Sequence, residues 1–484
     1  MTFALEHFIG GDRIACTDGE IAVINPSTEA TLGKFAPAGP DLVDRAVAAA
    51  VKAFPAWSTT APQDRHAALL RIADAYEARI EDLAQALSAE MGAPIDFARK
   101  SQAGAGLNHL RAFARALENY SFRTPVGPEA PDQAILHEPV GVAALITPWN
   151  WPLNQIALKV GAALAAGCTM VLKPSEISPM TAQVFAEIIE AADLPTGVFN
   201  MVQGDGAVTG SALVAHPDVA IVSFTGSTRA GVAISQSAAP DVKRVSLELG
   251  GKSPSIVFAD ADVEKAVRWT ATFCFNNTGQ SCNAATRLLV ERSVYDKAME
   301  IAKQTAEAQK VGPASASGDH IGPLSSPAQF EKVQGLIGKA IEEGATVLVG
   351  GAGRPDALPE GLFARPTIFA DVTPEQTIFR EEVFGPVLTM TPFDTEEEAI
   401  ALANDTEYGL SAYLHSQDPA RVQRVGAQLR AGMVQANSHG RAPGTPFGGY
   451  RRSGIGREGG RWGIEEFLEV KLVTGWPVSE AEPA

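Results

Sequence analysis

From about residue 140, short apolar runs alternate with stretches of helical spacing. VAALIT is followed by 153–166, TMVLK by 178–192, VFNMV by 207–215 and AIVSF by 228–239, and VSLEL closes the series. Strand-length runs rich in Val, Ile, Leu and Phe between helical segments predict βαβ repetition. Such repetition builds a parallel sheet with helices on both faces, whose ligands meet the carboxyl ends of the strands. A second series follows Gly251, with PSIVF, a helix over about 262–278, the run RLLV, a helix over about 293–309 and ATVLVGG near 345–351. Two α/β units therefore meet close to Glu248. Residues 41–54 and 62–119 are alanine-rich with few breakers and predict helices flanking the first unit. The proline-bearing stretch 121–139 reads as an excursion from the core.

Length and charge narrow the classes of function. A chain of 484 residues is too long for one ordinary core, so two or three domains are expected. Acidic residues outnumber basic ones 56 to 39, a net charge of −17 that disfavours nucleic acid and anionic membranes as partners. No apolar run approaches the roughly 18–20 residues that span a bilayer, and MTFALEHFIGGDR lacks the basic-then-apolar pattern of a secretory signal, so cytoplasmic residence is expected. Cys16, Cys168, Cys274 and Cys282 show no CxxC or Cys/His ligand spacing. Neither a disulfide framework nor a metal site is indicated, and any cysteine chemistry falls to a single thiol.

Cys282 ends FNNTGQSC (275–282), where Gly279, Gln280, Ser281 and Asn283 give a polar, turn-like setting suited to a nucleophile; Cys168 and Cys274 sit in apolar runs. Glu248, in LELGGKSP (247–254), lies between leucines and before Gly250 and Gly251. Partial desolvation raises such a carboxylate toward the range useful for activating water, although an ion pair with Lys252 or Arg244 is the plainer alternative. In ITPWNWP (146–152), Asn150 is either a helix N-cap or a neutral amide donor to a developing alkoxide. GDGAVTG (204–210) is not a GxGxxG fingerprint, whereas FTGST (224–228) follows a strand and opens a helix, a setting for pyrophosphate. KPSE (173–176) also follows a strand, and Lys173 with Glu176 suits the ribose hydroxyls of an adenosine.

Through PWN, KPSE, FTGS, LELGGK, FNNTGQSC, EEVFGP and PFGGYRRSGIGREGG, in that order over nearly the whole chain, the sequence resembles the aldehyde dehydrogenase superfamily. The resemblance implies an α/β fold with two parallel-sheet domains, one Rossmann-like for the cofactor and one catalytic, plus a small β oligomerisation arm. Its boundaries would be 1–120 with 140–250 for NAD binding, 251–452 for catalysis, and 121–139 with 453–484 as bridging segments. It implies Cys282 as nucleophile, Glu248 as general base and Asn150 as oxyanion donor, acting through a thiohemiacetal and a thioester that water hydrolyses. Cofactor contacts are expected from Ile146, Thr147, Pro148, Trp149, Lys173, Ser175, Glu176, Gly206, Gly210, Phe224, Thr225, Gly226, Ser227, Leu249 and Gly250, with Glu382 and Phe384 at the nicotinamide end. Relatives that transfer the acyl group to coenzyme A typically lack the glutamate of LELGG, so its presence favours hydrolysis.

Substrate is expected to be lined by Trp151, Gln155, Leu158, Ser281, Asn283 and Phe447, with His439 and Arg441 of NSHGRAPGTPFGG (437–449) near the mouth. Arg441 or His439 either engages a polar end of the substrate, as in a semialdehyde, or is simply solvated. Glu176 would repel a 2′-phosphate by like charge, favouring NAD over NADP, with Lys173 offsetting part of that repulsion. EEFLEVKLVTG (465–475) and 121–139 resemble the family's bridging strands, implying a homodimer or homotetramer, and PVSEAEPA reads as a frayed tail. The alternatives are an NADP-preferring semialdehyde dehydrogenase, a cysteine esterase that never uses a nicotinamide, and a non-catalytic structural protein on the same fold.

Overall fold

The alternation that begins at residue 140 folds into an eight-stranded mixed sheet. A computed structural model of the chain describes residues 4–17 and 19–476, and PVSEAEPA lies outside the described residues. In spatial order the sheet runs Gly454–Ile455, Arg244–Glu248, Val219–Thr225, Val142–Ile146, Thr169–Lys173, Phe199–Met201, Glu6–Ile9 and Asp12–Ala15. Its five central strands are parallel and both edges are antiparallel. All five residues of Val142–Ile146 and of Thr169–Lys173 are buried, as in a sheet covered on both faces. The chain crosses from Val142–Ile146 to Phe199–Met201 in one direction, then returns to place Val219–Thr225 on the opposite side of Val142–Ile146. This reversal is a switch point, and the crevice outside these two strands' carboxyl ends is where such sheets take ligands.

The second series forms a seven-stranded sheet in the order Thr346–Val349, Thr367–Ala370, Val387–Phe393, Ala285–Glu291, Ser253–Val257, Ser411–His415 and Met433–Ala436, parallel except at the Thr346–Val349 edge. Leu249 to Lys252 link the sheets, so the carboxyl edge of the first faces the amino edge of the second near Cys282. The helix expected over 262–278 stops at Phe275. Asn277 and Thr278 adopt left-handed backbone at φ 53° and 57°, which turns the chain sharply ahead of Cys282.

The segment 453–484, expected to bridge subunits as a whole, is divided. Gly454–Ile455 is an edge strand of the first sheet, and the helix Gly460–Glu466 packs on the helices Gly104–Glu118 and Pro152–Ala166. Buried Ser453 and Ile464 account for this, since both need the interior of the first unit. Leu468–Thr474 pairs instead with Gln133–Pro139, which pairs with Arg123–Pro125 in a three-stranded antiparallel arm.

Candidate active site

Between the two sheets lies a cavity of about 490 Å³. Much of its wall is made of residue runs that follow or precede strands. Pro148, Trp149 and Asn150 leave Val142–Ile146; Thr225, Gly226 and Ser227 end Val219–Thr225; Leu249 and Gly250 follow Arg244–Glu248; Cys282 and Asn283 precede Ala285–Glu291.

Cys282 is partly exposed, whereas Cys16, Cys168 and Cys274 are buried and burial pushes each of their thiols up to about 12. Burial also raises the Cys282 thiol, helped by the carboxylates of Glu382, Glu248 and Glu458 and opposed by the Asn283 backbone N–H. These influences disfavour the thiolate, so forming it calls for a proton acceptor or for a cation that offsets the carboxylates.

Asn150 is not a helix N-cap: the helix starts at Pro152 with Trp151 at the cap position. The Asn150 Nδ2 instead donates to the Gln280 carbonyl at 2.9 Å, leaving its second amide hydrogen uncommitted. Glu248 ends its strand 2 % exposed, and neither carboxylate oxygen has a hydrogen-bond partner. No ion pair with Lys252 or Arg244 forms: Arg244 pairs with Glu469, and Lys252 is itself buried and lowered to about 7. Burial raises the Glu248 carboxyl well above the usual range, with Glu458 adding to this and Lys159 and Arg457 opposing it. Lys159 Nζ donates to Glu458 Oε1 at 2.6 Å and to Ser223 Oγ at 3.0 Å, and both members of this ion pair are buried. Glu458 reaches the site because its backbone bridges to Phe447 of the cavity wall.

On the nucleotide side, Ser227 caps the helix Thr228–Ala238 by accepting from the Ala230 N–H, and the Phe224 ring closes against Gly226. The Trp149 and Phe384 rings meet edge-on at 5.5 Å. Glu382 accepts from the Gly251 N–H at 2.8 Å, and its carboxylate lies against Gly250, where a side chain would displace it. Lys173, buried, donates to the Gly204 carbonyl at 2.8 Å and lies 3.8 Å from Glu176; Ser175 accepts from the Ile177 N–H. Gly210 adjoins the Lys173 stem, and Gly206 opens the turn capped by Asp205. Ile146 and Thr147 are buried behind the cavity wall. Apart from Glu382 and Phe384, which precede a strand of the second sheet, the expected nucleotide contacts cluster at the carboxyl ends of adjacent parallel strands. That setting, with a helix N-terminus at Ser227, fits a dinucleotide.

On the other side, Trp151, Gln155, Leu158, Asn283, Arg441 and Phe447 line the cavity. Arg441 stacks over the Phe447 ring at 4.7 Å, and desolvation lowers its pKa. His439 is exposed and outside the cavity wall, its N–H closing a turn onto the Ala436 carbonyl, as the solvated alternative has it. Ser281 does not line the cavity either: its hydroxyl accepts from Trp151 Nε1 at 2.8 Å and so anchors that ring. Sequence reasoning overlooked His109, whose Nε2 lies 2.8 Å from Asn154 Oδ1; both residues line the cavity, and burial lowers the imidazole.

A profile of the aldehyde dehydrogenase family matches residues 14–473. The chain belongs to the aldehyde dehydrogenase family. This aldehyde dehydrogenase is 49 % identical over 458 residues to a 3-succinoylsemialdehyde-pyridine dehydrogenase from a Pseudomonas species, covering 94 % of this chain and 95 % of that one. Its fold matches the crystal structure of an aldehyde dehydrogenase from Bartonella henselae with a TM-score of 0.96, at 49 % identity over 98 % of this chain and 100 % of the other. It also matches a cysteine-to-alanine variant of aldehyde dehydrogenase C from Pseudomonas syringae, complexed with NAD+ and octanal, with a TM-score of 0.96, at 46 % identity over 99 % and 98 % of the two chains.

Proposed function

We propose that this aldehyde dehydrogenase converts an aldehyde and water to the carboxylic acid with NAD as hydride acceptor, through a covalent adduct on Cys282. The observation that carries this reading is a cysteine and a neutral amide donor on one cavity wall, with the unpartnered buried carboxyl of Glu248 near enough to act on the cysteine thiol, in a chain of this family. Cys282, its thiol proton released to solvent, attacks the aldehyde carbon as the thiolate, and the S–C bond forms as the C=O π bond opens to an alkoxide. Asn150 Nδ2 and the Cys282 backbone N–H hold the resulting alkoxide. NAD, when bound, supplies the acceptor for the hydride on that carbon, which leaves a thioester. Glu248 then takes a proton from a water that attacks the thioester; the C–S bond breaks, and the acid departs as the thiolate is restored. Lys159 and Arg457, which oppose the raised pKa of Glu248, favour the ionised form that the base requires.

Glu176 favours NAD over NADP, because its carboxylate suits two ribose hydroxyls and repels a phosphate. The substrate is proposed to be a semialdehyde with a polar far end. Support comes from Arg441 on the cavity wall, the His109–Asn154 pair and the name of the Pseudomonas relative. The domain division into 1–120 with 140–250 and 251–452 is proposed on the basis of the two sheets. A homodimer or homotetramer is supported by Val470 and Leu472, 65 % and 57 % exposed on the arm strand. No described helix is long and apolar enough to cross a membrane, and a cytoplasmic location is proposed. The test is NADH production across aliphatic, aromatic, ω-carboxylate and quaternary-ammonium aldehydes with NAD and NADP, using Cys282→Ala as control. Turnover that survives in Cys282→Ala refutes the covalent mechanism. Arg441→Ala should lower kcat/KM for an ω-carboxylate semialdehyde about tenfold more than for a neutral aldehyde of equal length; equal losses refute the polar-end assignment.

A further inference from the structure

We infer that Gln102 is a positioning residue that fixes the oxyanion donor; this rests on the role proposed for Asn150. Gln102 is fully buried on a single π-helical turn, Ala98–Ala103, inserted before the helix Gly104–Glu118. Such turns are rare and concentrate at functional sites, because they displace side chains that a regular helix would carry elsewhere. Here the turn is held by the Tyr76 hydroxyl, which donates to the Ala103 carbonyl at 2.8 Å.

The displaced amide makes two bonds of substance. Gln102 Nε2 donates to the Asn150 carbonyl at 3.0 Å and to Asn277 Oδ1 at 3.1 Å. Asn277 Nδ2 donates in turn to the Asn150 carbonyl at 3.0 Å and the Gln280 carbonyl at 3.1 Å, and the Gln280 carbonyl also accepts from Asn150 Nδ2. The backbone oxygen of Asn150, its side-chain amide and the chain two residues before Cys282 are thereby tied into one network anchored at Gln102. Asn277 occupies left-handed backbone, which asparagine adopts more readily than other non-glycine residues and which here aims its amide at Asn150 and Gln280. Gln102 Oε1 has no partner, so the side chain acts only as a donor. Burying an unmatched acceptor is unfavourable, and stability alone does not explain the residue.

The experiment compares Gln102→Met, which has no donor, with Gln102→Glu, which donates only when protonated. Because small displacements of an oxyanion donor are strongly felt, Gln102→Met should slow the pre-steady-state formation of NADH roughly 10- to 100-fold. The aldehyde KM and the rate of Cys282 alkylation by iodoacetamide should stay within about threefold, since alkylation develops no alkoxide. In an Asn150→Ala background, Gln102→Met should have no further effect. Relative to wild type, Gln102→Glu should recover activity as pH falls. Multiplicative losses in the double variant, or alkylation slowed as much as NADH formation, would overturn the inference. If Asn150→Ala alone leaves NADH formation unchanged, the role proposed for Asn150 fails first and takes the inference with it. Should Gln102→Met not fold, Gln102→Glu decides: a pH profile parallel to wild type rejects the positioning role.

Discussion

Glu248→Gln removes the proposed base while keeping its shape. Both oxygens of Glu248 are buried and unpartnered, so no local hydrogen bond is broken and the effect isolates ionisation. A general base contributes about 10²–10⁴-fold. Steady-state turnover should fall by that factor, while a rapid burst of one NADH per active site survives because the base acts only after the thioester forms. Stability supplies a second, independent readout. Burial raises the folded-state pKa of Glu248 above its unfolded value of about 4.3, so its stabilising contribution is complete below that pH and is lost as pH rises through the folded value. Each unit of that elevation removes about 1.4 kcal/mol from wild type and nothing from the amide variant. The Tm of Glu248→Gln minus that of wild type should therefore climb from pH 4 upward and level off above the folded pKa. Calorimetry over a pH series and rapid-mixing fluorescence of NADH test both halves. A burst lost in parallel with turnover refutes the deacylation role, and a Tm difference independent of pH refutes the desolvation argument.

Lys159→Met strands the buried Glu458 carboxylate and should cost about 3–5 kcal/mol in urea unfolding, most of it regained in Lys159→Met with Glu458→Leu; a single variant as stable as wild type contradicts this. Glu176→Gln should weaken NAD binding about tenfold and narrow the gap to NADP, as read by fluorescence titration of each nucleotide. Gly279→Ala forces a side chain into φ +71° against the Gly385 carbonyl, and should lower Tm by the equivalent of at least about 1–3 kcal/mol while impairing the NADH burst.

The parallel core was legible because buried strands announce themselves. VAALI, TMVLK and RVSLE stand in the sheet where the alternation put them, and the residues that follow VAALI and RVSLE reach the cavity. The ion pair of Lys159 with Glu458 was missed, although a signal existed. Lys159 is the sole charged residue in the helix Pro152–Ala166, where all but Asn154 are buried, and a buried lysine demands a partner. Its partner lies 299 residues away in the sequence, a separation that no periodicity encodes. Gln102 gave no signal at all, since nothing in GAPIDFARKSQAG distinguishes a π-turn from an α-turn. His439 and Arg441 sit two residues apart in one exposed loop, and nothing in its sequence says that Arg441 lines the cavity while His439 does not.

The electrostatics explain why the proposed oxyanion donor is a neutral amide in a network of neutral amides. Glu248, Glu382 and Glu458 all act on the Cys282 thiol. A lysine or arginine at position 150 would stabilise an alkoxide more strongly in isolation, but next to these carboxylates it would pair with Glu248. Pairing would hold Glu248 ionised but depress its pKa, weakening it as the base for water, and would compete with the alkoxide for the cation. An amide donates to the alkoxide without quenching the base. Its weakness is orientational: it acts only if its plane is fixed, and an amide has no charge to pull it into place. The Gln102, Asn277 and Gln280 contacts supply that fixing with groups that are themselves uncharged, so they leave the titration of Glu248 undisturbed.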